Sequence, residues 1–190
     1  KDKQVIVFTH RLSLLGLIQD YSRKVDREPE IICIRAETWG TGEPGDTPLF
    51  AKKPDKVLNS LINDRLPKAR KLLQENGNDV YEPYAKSLCS NFRILLERMI
   101  EFELMADVVS GFRRDINTKN KINKLALISE KDCQYFDDLM TKYSKYEHSQ
   151  PLDAPVQLPE PDEFEADFKE LKNWHEDFKQ RPVPSTKDMK

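Results

Sequence analysis

The stretch from Tyr84 to Met105 constrains the fold most. Leu88, Phe92, Leu95, Leu96, Met99 and Ile100 recur at spacings of three and four. At about 100° per residue they share one face of a helix. A face that apolar has to be covered by other elements. Segments on both sides show the same period. Lys56–Glu75 carries Val57, Leu58, Leu61, Ile62, Leu66, Leu72 and Leu73, with Pro67 expected to bend or split it. Asn76-Gly77-Asn78 reads as a stop. Val108–Asp115 is expected to continue or restart the long helix. Asn120–Leu127 and Lys131–Tyr143 are further helices, the second with Ser129 as N-cap and Asp132 three residues on. "SQPLDAPVQLPEPDEF" reads as a Pro-rich strap to a last helix, Phe164–Phe178, before a frayed tail. The expected core includes Leu88, Phe92, Leu96, Met99, Ile100, Leu125, Phe136, Leu139 and Trp174.

Composition narrows the function classes. Of 190 residues, 38% are hydrophobic and 34% charged, which is polar but sufficient for a core. A net charge of −2 gives no overall argument for nucleic-acid binding, so any such surface has to be local. Three separated cysteines, Cys33, Cys89 and Cys133, form no zinc motif and fit a reducing, cytoplasmic setting. No apolar run reaches the ~18 residues of a membrane span, so no membrane contact is expected. Residues 113–124 concentrate Arg113, Arg114, Lys119, Lys121 and Lys124, while 160–179 is acidic. Both read first as solvated faces; the basic one alternatively flanks an RNA or DNA path.

The first fifty residues follow another pattern. Gln4–Phe8 is a continuous apolar run, as in a strand buried on both faces of a parallel sheet. Leu12, Leu14, Leu15, Leu17 and Ile18 read as an amphipathic helix to about Lys24, and Ile31–Ile34 as a second strand. A parallel β-α-β unit is therefore expected. Two strands alone leave open edges, so the rest of the sheet belongs to other residues. The chain opens without Met, and the expectation is that it continues a larger protein. "TWGTGEPGDTPLFAKKP", residues 38–54, reads as loop by its Gly and Pro content.

The run "QVIVFTHRLSLL" ends its strand in Thr9-His10. It resembles a segment of ABC-type and SMC-like ATPases, in the form found in bacterial defence systems. There a strand after the Walker B segment delivers a switch histidine to the γ-phosphate of ATP. The resemblance implies that His10 contacts that phosphate in a composite site. No G-x-x-x-x-G-K-[ST] occurs in the chain. ATP and Mg would be held by the upstream ATPase portion of the same protein, not by this fragment alone.

Arg93 and Glu97, in "NFRILLERMIEFEL", lie four apart at the border of the apolar stripe, as in an ordinary ion pair. "MTKYSKYEHSQP" follows a helix end with two Tyr, two Lys and His148. Together these stretches resemble the C-terminal domain of the bacterial anticodon nucleases of the PrrC and RloC group, which join an ABC-type ATPase to a helical, HEPN-like ribonuclease domain. The resemblance implies Arg93, Glu97 and His148 as catalytic residues of a metal-independent cleavage of tRNA in phage defence. His and Glu would divide base and acid roles. Arg would hold the phosphorane charge. Arg113, Arg114, Lys142, Lys145 and Tyr146 would meet the nucleic acid, Tyr146 by stacking.

Two other readings stay open. The helices dock a partner or form a homodimer, ATP turnover being the only chemistry. Or the protein is a DNA-acting ATPase with its basic stretch on the duplex. The expected architecture is mainly α: a helical bundle, HEPN-like, with a small N-terminal parallel β-α-β remnant of an ATPase head. Residues 1–50 would be that head piece, 51–150 the helical domain, and 151–190 the strap, last helix and tail.

Overall fold

The computed structural model describes residues 3–38, 40–45, 47–48, 51–110, 116–146 and 157–183. In chain order these form α1 (Leu12–Lys24), strands β1 (Cys33–Glu37) and β2 (Gly40–Gly45), α2 (Pro54–Ser60), α3 (Leu66–Asn76), α4 (Asn78–Met99), α5 (Glu130–Ser144) and α6 (Pro161–Gln180). Two π turns, Leu61–Arg65 and Ile100–Leu104, and a 3₁₀ segment, Ile122–Leu127, complete the set.

α4 is the helix on which the others pack. Its buried residues Tyr81, Ala85, Leu88, Cys89, Phe92, Leu95, Leu96 and Met99 keep the 3.6-residue period throughout. The ring of Phe92 meets Tyr143 of α5 and Phe168 of α6, each at 4.7 Å between centroids. Three helices therefore close on one aromatic cluster. Burial also silences a cysteine. Loss of water pushes the Cys89 thiol up to about 12. A thiol reagent at pH 8 is expected to label exposed Cys133 within minutes and Cys89 only on unfolding. Equal rates would mean that α4 is not the packed centre.

Local chemistry explains the boundaries. Ser129 and Asp132 form a reciprocal capping box: the Ser129 hydroxyl accepts from the Asp132 N–H, and the Asp132 carboxylate accepts from the Ser129 N–H. Pro67 splits the α2–α3 rod, as expected. Proline has no N–H for the carbonyl four residues back. A π turn absorbs the fault, closed by the Leu66 N–H on the Leu61 carbonyl five residues earlier. Gly77, at φ 73°, separates α3 from α4 in a left-handed conformation that favours glycine. α6 begins and ends slightly outside the expected 164–178.

Several expectations are corrected. β1 and β2 pair antiparallel, Cys33 opposite Gly45 and Glu37 opposite Gly40, with Gly42 (φ 89°) left out at a bulge. No parallel β-α-β unit is present among the described residues. Gln4–Phe8 forms no strand in this chain, and β2 occupies part of the expected loop. Val108–Ser110 is not helical, and 111–115 lies outside the described residues. The 120–127 helix is a 3₁₀ segment. Its three-residue turn leaves Leu125 half-buried, and Leu127 and Ile128 pack on the core instead. Ile100 and Trp174 line the core rather than fill it.

Among the described residues, those of α1, β1 and β2 contribute none to the hydrophobic core. Val5 is 80% and Phe8 84% exposed, with Ile6 and Val7 also open to solvent. At about 1.5–3 kcal/mol for each fully buried apolar side chain, covering these four would stabilise by roughly 5–8 kcal/mol. Contiguous exposed apolar side chains of this kind are characteristic of contact surfaces.

Candidate functional site

His10 lies in the exposed stretch just before α1. The Thr9 hydroxyl accepts the Arg11 N–H at 3.0 Å, a local turn between the extended run and the helix. Arg11 provides no side-chain cap, so no side chain covers the first amides of α1 there. The arrangement presents an imidazole beside the positive end of a helix, a combination suited to a phosphate oxygen.

Arg93 and Glu97 stand on one edge of α4. Arg93 Nη2 and Glu97 Oε1 are 3.5 Å apart. The Arg93 side chain is 24% exposed and that of Glu97 52%, so the carboxylate is the accessible member. The last turn of α5 crosses α4 one residue away, where the Tyr143 ring meets Phe92. His148, Arg113 and Arg114 lie outside the described residues.

The structure places the remaining predicted contacts in one neighbourhood, the end of α5. Lys142 reaches α6, with its Nζ 2.8 Å from Glu163 and 2.7 Å from Asp167. Partial burial alone would lower its pKa, but the hydrogen bonds it donates to Asp167 and Glu163 raise it. Its charge is spent inside the fold. The buried Tyr143 hydroxyl donates to the same Asp167. Burial, the Asp167 charge and that bond push the phenol up. Tyr146 is half-buried, its ring 6.0 Å from that of Tyr143. Lys145 is exposed. A neighbouring cavity of about 540 Å³ is lined by Tyr146, Gln157, Leu158, Glu160, Asp162 and Glu163. Its three carboxylates repel a phosphate.

Sequence reading missed two buried polar centres. His175, 5% exposed, holds Nδ1 3.2 Å from Asp55 and Nε2 3.2 Å from Glu103. It occupies a core-facing position of α6 in the series Phe164, Phe168, Leu171, His175, Phe178, and that period was the available signal. Asp132, expected as a capping residue, is also the acceptor for Arg181 and Trp174. Both centres tie helices together. Among the described residues no group of three His, Cys, Asp or Glu could hold a metal ion, and no helix is long and apolar enough to cross a membrane.

No protein-family model matches the chain, and neither the curated proteins nor the solved structures yield a match.

Proposed function

We propose that the chain is the C-terminal portion of an ABC/SMC-like ATPase. In this reading the first residues complete the sheet of an ATPase head and bring His10 to the γ-phosphate, and residues 54–183 form a helical docking or dimerisation domain. The observation that carries it is the run Val5–Phe8, apolar at four successive positions and exposed at all of them. Side chains of a strand alternate between faces. Four in a row need cover on both faces, as in the centre of an α/β sheet. ATP and Mg would be held by upstream residues, because His10 is the single group of this chain assigned to them. Measuring ATP turnover of the complete protein with His10→Ala tests the reading.

A second reading is favoured by the Arg93–Glu97 edge. Its spacing is that of an ordinary helix pair, worth a few tenths of a kcal/mol. An exposed carboxylate beside a guanidinium is also what cleavage at a ribose 2′-OH uses. Arg93→Ala separates the two. As a scaffold pair it leaves RNA untouched and shifts stability by under ~1 kcal/mol. As part of a nuclease it slows RNA cleavage by the complete protein at least tenfold, with folding intact. Absence of cleavage in the unmodified protein removes the second reading.

A further inference from the structure

We propose that the outer face of α2, the first π turn and α3 is a binding stripe for a nucleic-acid phosphate backbone. The proposal does not rest on the ATPase reading. Lys53, Lys56, Lys68 and Lys71 are all exposed on this rod. Lys68 and Lys71 are three residues apart in α3 and share a face; Lys53 is the extended residue that precedes α2, three residues before Lys56. Twelve residues separate the inner two, and in an unbroken α-helix they would point about 120° apart. The π turn takes in one extra residue, which leaves about eleven helical steps, close to three full turns. The fault that Pro67 imposes thus lines the two pairs up along about 25 Å of helix.

Charged groups interleaved with the lysines are drawn toward α6. Asp55, between Lys53 and Lys56 in sequence, faces α6 and binds Lys179 Nζ at 3.1 Å and His175 Nδ1 at 3.2 Å. Arg70, between Lys68 and Lys71, is taken by Asp162 and Glu165 of α6. Acidic α6 therefore engages the inner side of the rod, and the lysines remain outside. Lys53 and Lys56 have no carboxylate partner among the described residues. Lys68 lies over the Tyr84 ring at 5.4 Å, and Lys71 has only a 3.8 Å contact with exposed Glu75. One carboxylate stays on the stripe between the pairs, Asp64, which accepts from Ser60 at 2.9 Å.

The chemistry favours nucleic acid over other polyanions. Exposed Asn59 and Asn63 lie between the lysine pairs and supply amide donors for phosphate or sugar oxygens. The face has no exposed large apolar side chain to insert into a lipid surface. Lysine ammonium groups give contact to the backbone rather than base readout.

The test is fluorescence anisotropy with a labelled 20-nucleotide single-stranded RNA across a salt series. Four phosphate contacts give a slope of log K against log salt of about −3. The triple variant Lys56→Gln/Lys68→Gln/Lys71→Gln is expected to bind at least tenfold more weakly, with a slope reduced by about 2. A control of equal charge, Lys86→Gln/Lys131→Gln/Lys172→Gln, changes exposed lysines elsewhere and is expected to retain the unmodified slope. Three outcomes overturn the proposal: no RNA binding, equal loss in the control, or the same lysine dependence on phosphatidylserine vesicles or polyglutamate with none on RNA. Circular dichroism on both variants checks that the helices are intact.

Discussion

Replacing His10 with Ala in the complete protein is expected to lower ATP turnover by about a hundredfold, at the lower end of what a positioned proton-transfer group contributes. The imidazole stands at the end of an apolar run and at the start of α1. In the proposed ATPase head the run would be seated in a sheet, and His10 would face the place where an α/β fold binds phosphate. There it can hydrogen-bond a γ-phosphate oxygen or the attacking water, and it loses that partner on hydrolysis. His10 is exposed and is not among the residues of the hydrophobic core or those packed against it. The substitution should therefore leave the melting temperature of the helical body unchanged, and reduced turnover cannot be blamed on unfolding. His10→Gln keeps one hydrogen-bonding end and should recover binding of ATP more than its turnover. Unchanged hydrolysis in His10→Ala would remove the phosphate-sensing role and with it the assignment of the opening segment to an ATPase head.

Legibility differed along the chain for physical reasons. α4, α5 and α6 bury one face each, so their apolar period survives in the sequence. Ser129 and Asp132 announce the start of α5, because capping is local chemistry. The β2 strand was not visible. Gly40, Gly42, Pro44 and Gly45 have little strand preference, and the strand exists because two edges pair with each other. The Gln4–Phe8 run was legible as something to be buried, yet Val5–Phe8 stay exposed in the structure. At the candidate site, the Arg93–Glu97 contact follows from a four-residue spacing. The occupation of Lys142 does not: Glu163 and Asp167 are about twenty residues further on, across the Pro-rich strap. A cation's availability is decided by tertiary partners that no local pattern records.

The same lesson gives the largest expected loss of stability, in Arg181→Ala. Asp132 is 2% exposed and accepts from Arg181 Nη1 at 2.6 Å and Nη2 at 2.9 Å, from Trp174 Nε1 at 2.8 Å and from the Ser129 hydroxyl at 2.6 Å. Burial alone would raise this carboxyl, but the bonds from Arg181, Ser129 and Trp174 hold it well below the usual range. Arg181 also donates to the Leu127 carbonyl at 3.2 Å and lies over the Phe178 ring. It thereby clamps the end of α6 to the start of α5. Its removal leaves a buried carboxylate without its cation, which costs about 3–5 kcal/mol; the lower figure applies because the Arg181 side chain is 26% exposed. Urea unfolding should show an unchanged slope and a midpoint lowered by that free energy divided by the slope. Arg181→Lys keeps the charge without the two-pronged fit and should lose less. The sign with pH follows from the depressed carboxyl. Its contribution is complete above the unfolded value near 4 and is lost as the pH falls below it. In Arg181→Ala that acid-dependent loss should shrink, because the group that held the carboxyl down is gone. A variant as acid-sensitive as the unmodified chain, or one destabilised by less than ~1 kcal/mol, would mean that Trp174 and Ser129 satisfy Asp132 by themselves and that α6 is held by its apolar face alone.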